Sequence, residues 1–133
     1  MLTAIPLLAL PLVAYNVLAL TRGDIWGNVI LTIDMVRGDS FALTAGGLFV
    51  FVSVVLLFLE ILKSTRTGTG SIVDHLLSVV VFVVCLVEFL LVSIAATETF
   101  FLLTTMALVD VIAGFSITIR AARRDVAIDP NAL

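Results

Sequence analysis

The chain has 133 residues, with seven Lys+Arg, ten Asp+Glu and one His, for a formal net charge of −3; 62% of it is hydrophobic and only 13% charged. Soluble domains run near half apolar and a quarter charged, so this chain has too few polar residues to cover a surface facing water. Its composition excludes a soluble enzyme, a disordered tail and, for want of a basic excess, a nucleic-acid binder.

The first apolar stretch, Leu2–Leu20, carries no charge. A hydrocarbon core about 30 Å thick takes roughly 20 helical residues, so this stretch is predicted as a first span. No Lys or Arg precedes it and no small-x-small cleavage site follows, which favours a retained span over a cleaved signal. Pro6 and Pro11 are expected to kink it. Ala9 and Asn16, one heptad apart, are its expected inward face.

The connection Thr21–Ser40 is too apolar for a disordered loop. Ile25, Trp26, Val29, Ile30, Ile33 and Val36 fall within a helical arc of about 140°. That pattern predicts an amphipathic helix lying on the membrane, with Trp26 at headgroup depth. Val29, Leu31, Ile33 and Met35 also alternate, which is the competing strand reading. As a helix, Ile25, Trp26, Val29, Ile30 and Ile33 would form a lid on the bundle or an interfacial docking surface.

Phe41–Leu62 is the second predicted span, with Glu60 at its far end; Gly46, Ser53 and Glu60 are spaced by seven and share a face. The Lys63–Ser71 connection, with its Thr-Gly-Thr-Gly run, reads as a flexible hairpin. Ile72–Ala96 is the third span and carries Asp74, His75 and Glu88. Asp74, Ser78 and Cys85 lie within about 80° of Glu88 on the helical wheel. Thr97–Thr99 is then a tight turn, which makes the third and fourth helices antiparallel neighbours.

Phe100–Ile119 is the fourth span, interrupted by Asp110. A central Asp costs roughly 2.5 to 3.5 kcal/mol on the insertion scale, while the Leu, Ile, Phe and Val residues around it return roughly 3 to 7 kcal/mol together. Insertion therefore survives the acid. Ala107, Asp110, Gly114 and Thr118 form its small or polar face. The segment from Ala121 to Leu133 reads as a short, fraying tail.

These runs are too long for buried strands and lack the alternation of barrel strands. The expected fold is an all-α integral membrane protein: an antiparallel four-transmembrane-helix bundle with an interfacial amphipathic helix between spans one and two. Residues 1–120 would be one membrane domain and 121–133 a cytoplasmic tail. Five Lys/Arg on one side against two on the other place both termini in the cytoplasm, in the inner membrane of a bacterium.

Glu88 and Asp110 lie at expected depths of roughly 12 and 15 Å from the outer turn, close enough to meet as a proton or cation site. Glu60, Asp74 and His75 form a second candidate cluster near the cytoplasmic ends, a solvated ring before a metal site. A lone Cys85 excludes a disulfide framework, and a lone His excludes paired-histidine ligation. With no catalytic motif and no phosphate loop, neither an enzyme nor a cofactor is expected. The reading is a non-catalytic membrane subunit, scaffold or assembly factor. Its alternative is a small oligomeric proton- or cation-coupled transporter or channel using buried carboxylates. The expected partners are the lipid bilayer and other membrane subunits or a second copy, with no nucleic acid.

Overall fold

The computed structural model describes residues 5–65 and 70–128, giving only the backbone for residues 70, 71, 121 and 125–128. In chain order the elements are α1 (Ala9–Arg22), β1 (Val29–Asp34), β2 (Ser40–Thr44), α2 (Ala45–Ser64), α3 (Gly70–Leu91), a 3-10 turn (Ser93–Ala95) and α4 (Glu98–Ile128). Among the described residues three helical stretches are long and apolar enough to cross a membrane: Ala45–Ser64, Ile72–Leu91 and Glu98–Arg124.

The start of the first expected span is corrected: among the described residues its helix begins at Ala9. Its first residues, 1–4, lie outside the described residues, and α1 has 14 residues. At 1.5 Å per residue that is about 21 Å of helix. With the residues before and after it, the chain runs from the Lys63 end of α2, where the Ile5 carbonyl accepts from Lys63 at 3.0 Å, to its start, where the Trp26 carbonyl accepts from the Gly46 N–H at 2.9 Å. Pro6 and Pro11 mark the helix start, not a kink. Pro6 precedes the helix, its carbonyl accepting from the Ala9 N–H at 3.0 Å. Pro11 lies in the first turn, where a missing N–H costs nothing. Gly23 ends α1 at φ 73°, its amide donating to the Ala19 carbonyl.

The interfacial helix is also corrected: the segment forms an antiparallel hairpin, and the protein is largely helical with a small two-stranded sheet. Leu31 pairs with Leu43, Thr32 with Ala42, Ile33 with Phe41 and Asp34 with Ser40, with a register irregularity between Val29 and Leu31. The run Val29-Ile30-Leu31-Thr32-Ile33, β-branched at every position but Leu31, prefers the pleated backbone, and this preference overrides the helical arc. Gly38 supplies the turn at φ 93°, and the Met35 amide closes it on the Asp39 carbonyl at 2.7 Å.

Phe41–Thr44 therefore belongs to β2, and the second helix starts at Ala45. Its first amides are all engaged. Thr44 Oγ1 accepts from the Gly47 N–H at 3.0 Å, while the Ala45 and Gly46 N–H groups donate to the carbonyls of Asn28 at 2.8 Å and Trp26 at 2.9 Å. A side-chain cap and two loop carbonyls satisfy donors that a helix start otherwise leaves open. The segment before the hairpin is thereby tied to the top of α2.

α4 packs against both α2 and α3 and touches α1. α3 ends at Leu91 and α4 starts at Glu98, so the connection is longer than the expected Thr97–Thr99 turn. The expected fraying tail is corrected to continuous helix as far as Ile128, with 129–133 outside the described residues. The Thr-Gly-Thr stretch 67–69 is likewise outside them.

At the hairpin end, the rings of Tyr15, Trp26, Phe49 and Phe100 fill the core. Tyr15 stacks on Trp26 at 4.4 Å and meets Phe100 edge-on at 4.8 Å, and Phe49 meets Trp26 edge-on at 5.1 Å. Edge-on and offset pairs of this kind add to the burial of large apolar rings. The Tyr15 hydroxyl donates to the Ile94 carbonyl at 2.8 Å and lies 2.6 Å from Thr97 Oγ1. A single phenol thus joins α1 to the α3–α4 connection.

Candidate functional site

The helix faces place the polar residues of the spans. In α2 the buried residues are Gly46, Ser53 and Glu60, the heptad-spaced set. In α3, Ser78 and Cys85 are buried; in α4, Ala107, Asp110 and Gly114 are. On α1 the buried set is Pro11, Leu12, Tyr15 and Ala19, with Ala9 and Asn16 half-buried. Asn16 satisfies its own amide group on the Leu12 carbonyl at 3.1 Å.

Helical rise decides which of these residues share a level. From the hairpin end, Asp110 lies about 18 Å down α4, Ser78 about 20 Å down α3 and Glu60 about 22 Å down α2. Glu88 is only about 5 Å from the end of α3 at Leu91. The expected Glu88–Asp110 meeting is therefore not what the helices bring about. Ser78 on α3 and Glu60 on α2 are the buried polar residues nearest the level of Asp110. The half-buried Glu88 instead lies one turn from Cys85 on its own helix. The shift follows from one boundary: α3 ends at Leu91, not Ala96.

Asp110 thus joins the second cluster, with Glu60, Asp74 and His75. Glu60 is 1% exposed and Asp110 3%. The Glu60 Oε2 accepts from the Leu7 amide at 2.9 Å and faces Lys63 Nζ at 3.3 Å. Lys63 also donates to the Ile5 carbonyl at 3.0 Å and lies 3.7 Å from Asp74. One ammonium and one carboxylate so connect the segment before α1, the end of α2 and the start of α3. The expected solvated ring is corrected to a largely buried group, because the Ile5–Leu7 segment covers it.

His75 sits against Gly114, where any Cβ would overlap its ring, and packs 5.4 Å from Phe115. Only glycine leaves room for an imidazole between α3 and α4 here. His75 Nε2 and Asp74 Oδ1 are buried without a hydrogen-bond partner among the described residues. Such atoms carry a desolvation cost that a proton or a water would relieve. Among the described residues no group of three or more His, Cys, Asp or Glu is placed to hold a metal ion.

Lys63 and Gly114 complete this site. Lys63, three residues after Glu60, carried a spacing signal for pairing; the His75–Gly114 contact carried none, because it depends on the relative rotation of two helices.

The expected docking set is divided. Trp26 is 7% exposed, inside the aromatic cluster and not at a surface, because stacking on Tyr15 draws it inward. Ile25 is half-buried, while Val29, Ile30 and Ile33 are exposed on the hairpin. A groove of about 580 Å³ opens where the start of α2 meets the α3–α4 connection, lined in part by Asp24, Trp26, Thr44, Thr97 and Glu98. The amides of Ala45, Gly46 and Gly47 at this groove are already engaged, so they make no anion site.

Comparison with family models, curated proteins and solved structures returns no match. The chemistry of the cluster is therefore read from its own residues. It can hold segments together by charge, and it can take up a proton at a carboxylate or an imidazole.

Proposed function

We propose that this chain is a non-catalytic integral membrane subunit or scaffold whose buried charges lock its own segments together. One observation carries this reading: the Glu60 carboxylate and the Lys63 ammonium are engaged by Leu7, Ile5 and Asp74. Charges used this way hold a fold. The aromatic packing at the opposite end has the same character. The wide outward surfaces of α2 and α3, with Phe51, Phe58, Val80 and Leu90 exposed, are offered to lipid and to partner helices. The partner is another membrane subunit or a second copy, in a bacterial inner membrane with both termini cytoplasmic.

A second reading is favoured by the unpartnered Asp74 Oδ1 and His75 Nε2. In this reading the protein is a proton- or cation-coupled transporter and the cluster is its titrating site.

Purification of the full chain in mild detergent, followed by mass determination, separates the two. A stoichiometric partner or a fixed homo-oligomer that carries no pH-dependent flux in liposomes supports the scaffold. Flux abolished by Asp110→Asn overturns it in favour of transport.

A further inference from the structure

We propose that the β1–β2 hairpin is a membrane-interface anchor, with its Leu31–Ile33–Phe41–Leu43 face seated in the bilayer at the depth of the lipid headgroups. The inference rests on the membrane-embedded reading above.

The pairing register defines the two faces. Cross-strand partners point to the same side of a sheet, so Leu31 with Leu43 and Ile33 with Phe41 make one face. Thr32 with Ala42 and Asp34 with Ser40 make the other. One side is wholly apolar and the other mostly polar. Every residue of β1 is exposed, as are Ser40, Phe41 and Ala42 of β2. A lone two-stranded hairpin is marginal in water, and four large apolar side chains on one side worsen its position there.

The hydrocarbon core is no better a home. A two-stranded sheet leaves an unpaired row of N–H and C=O groups along each outer edge, and hydrocarbon offers these no partner. The apolar face needs lipid and the edges need water or headgroups. The interfacial layer alone supplies both.

The junction with α2 fixes the hairpin at that level. Thr44 is the last residue of β2 and also the cap of α2, with no residue between them. The Leu43 side chain folds over Gly47, its Cδ1 3.3 Å from where a Cβ there would stand. Gly47 heads an outward stripe of α2 that continues through Phe51, Val54 and Phe58, which are 64%, 47% and 59% exposed. The apolar face of the hairpin is thus continuous with the face that α2 turns outward, and one medium serves both. At the tip, Val36 is fully exposed and Arg37 stands beside it, 3.3 Å from Asp39 and within reach of lipid phosphate.

The test places single cysteines at Ile33, Phe41, Thr32 and Asp34 in a Cys85→Ala background. Each is labelled with an environment-sensitive fluorophore and the full chain is reconstituted in phosphatidylethanolamine–phosphatidylglycerol vesicles containing headgroup-proximal spin-labelled lipid. Should the Cys85→Ala protein fail to fold, the buried native thiol is kept and the same four sites are labelled. The expected result alternates along the strand: probes at Ile33 and Phe41 are blue-shifted and quenched several-fold more strongly than those at Thr32 and Asp34. Four equally wet, unquenched probes would mean a hairpin standing in water and would overturn the proposal. Blue-shifted but unquenched probes at Ile33 and Phe41 would mean that protein covers the face, and would overturn it too. If that shielding grows with the protein-to-lipid ratio, the cover is a second copy. A probe at Phe51 keeps the two readings apart, because loss of lipid quenching there defeats the membrane-embedded reading itself.

Discussion

Replacing Gly114 with Ala drives a methyl group into the imidazole of His75, whose Cε1, Nδ1 and Nε2 all lie inside contact distance of that position. Phe115 packs 5.4 Å from the same ring. Overpacking of this kind costs about 1–3 kcal/mol. Glycine to alanine inside a helix returns about 1 kcal/mol of propensity. The expected net effect of Gly114→Ala is therefore a loss of up to about 2 kcal/mol. In a His75→Ala background the obstruction is gone and only the propensity gain remains, so the same substitution should stabilise by about 1 kcal/mol. The coupling between the two sites is then about 1–3 kcal/mol. Unfolding in mixed micelles, followed by far-UV circular dichroism for the four proteins of this cycle, measures it. Equal effects of Gly114→Ala in both backgrounds would refute the close packing of imidazole on glycine.

Glu60→Ala strands the Leu7 amide and leaves Lys63 with the Ile5 carbonyl and Asp74 alone, and should cost about 1–3 kcal/mol in the same unfolding assay; Glu60→Gln, which keeps an acceptor for Leu7, should cost clearly less. Gly46→Ala brings a Cβ to 2.5 Å from Thr99 Oγ1 and 3.0 Å from the Trp26 carbonyl. It should destabilise by about 1–3 kcal/mol and red-shift the emission of Trp26, the sole tryptophan, as its loop lifts from α2. Cys85, fully buried, should resist maleimide in native micelles and label only after denaturation.

Much of the interior was readable from spacing. Gly46, Ser53 and Glu60 recur every seven residues and are the buried residues of α2, because lipid gives a helix reason to gather its small and polar groups on one side. Ala107, Asp110 and Gly114 follow the same logic on α4. Partnership between helices was not readable to the same degree. Placing the end of α3 five residues late moved Glu88 by about 7.5 Å along the axis and matched it with the wrong level of α4. The α1 face was misread because Tyr15 is drawn inward by stacking and by hydroxyl bonds to Ile94 and Thr97. Nothing in the periodicity of α1 records those distant partners. The hairpin segment carried both periodicities at once, and its β-branched density with Gly38 was the better guide.

The unequal lengths of the helices have a mechanical consequence. α4 has 31 residues and α2 has 20, or about 46 Å against about 30 Å of rise. In a bilayer matched to α2, roughly the last third of α4 stands clear of the slab as a rigid post. Arg120, Arg123 and Arg124 sit on that post at three- and four-residue intervals, all exposed and sharing a side. Their positive charge is held at a set height over the surface, where a loose chain would let it wander. Removing one turn of the post would lower Arg123 and Arg124 toward the headgroups by about 5.4 Å and leave the bundle beneath untouched.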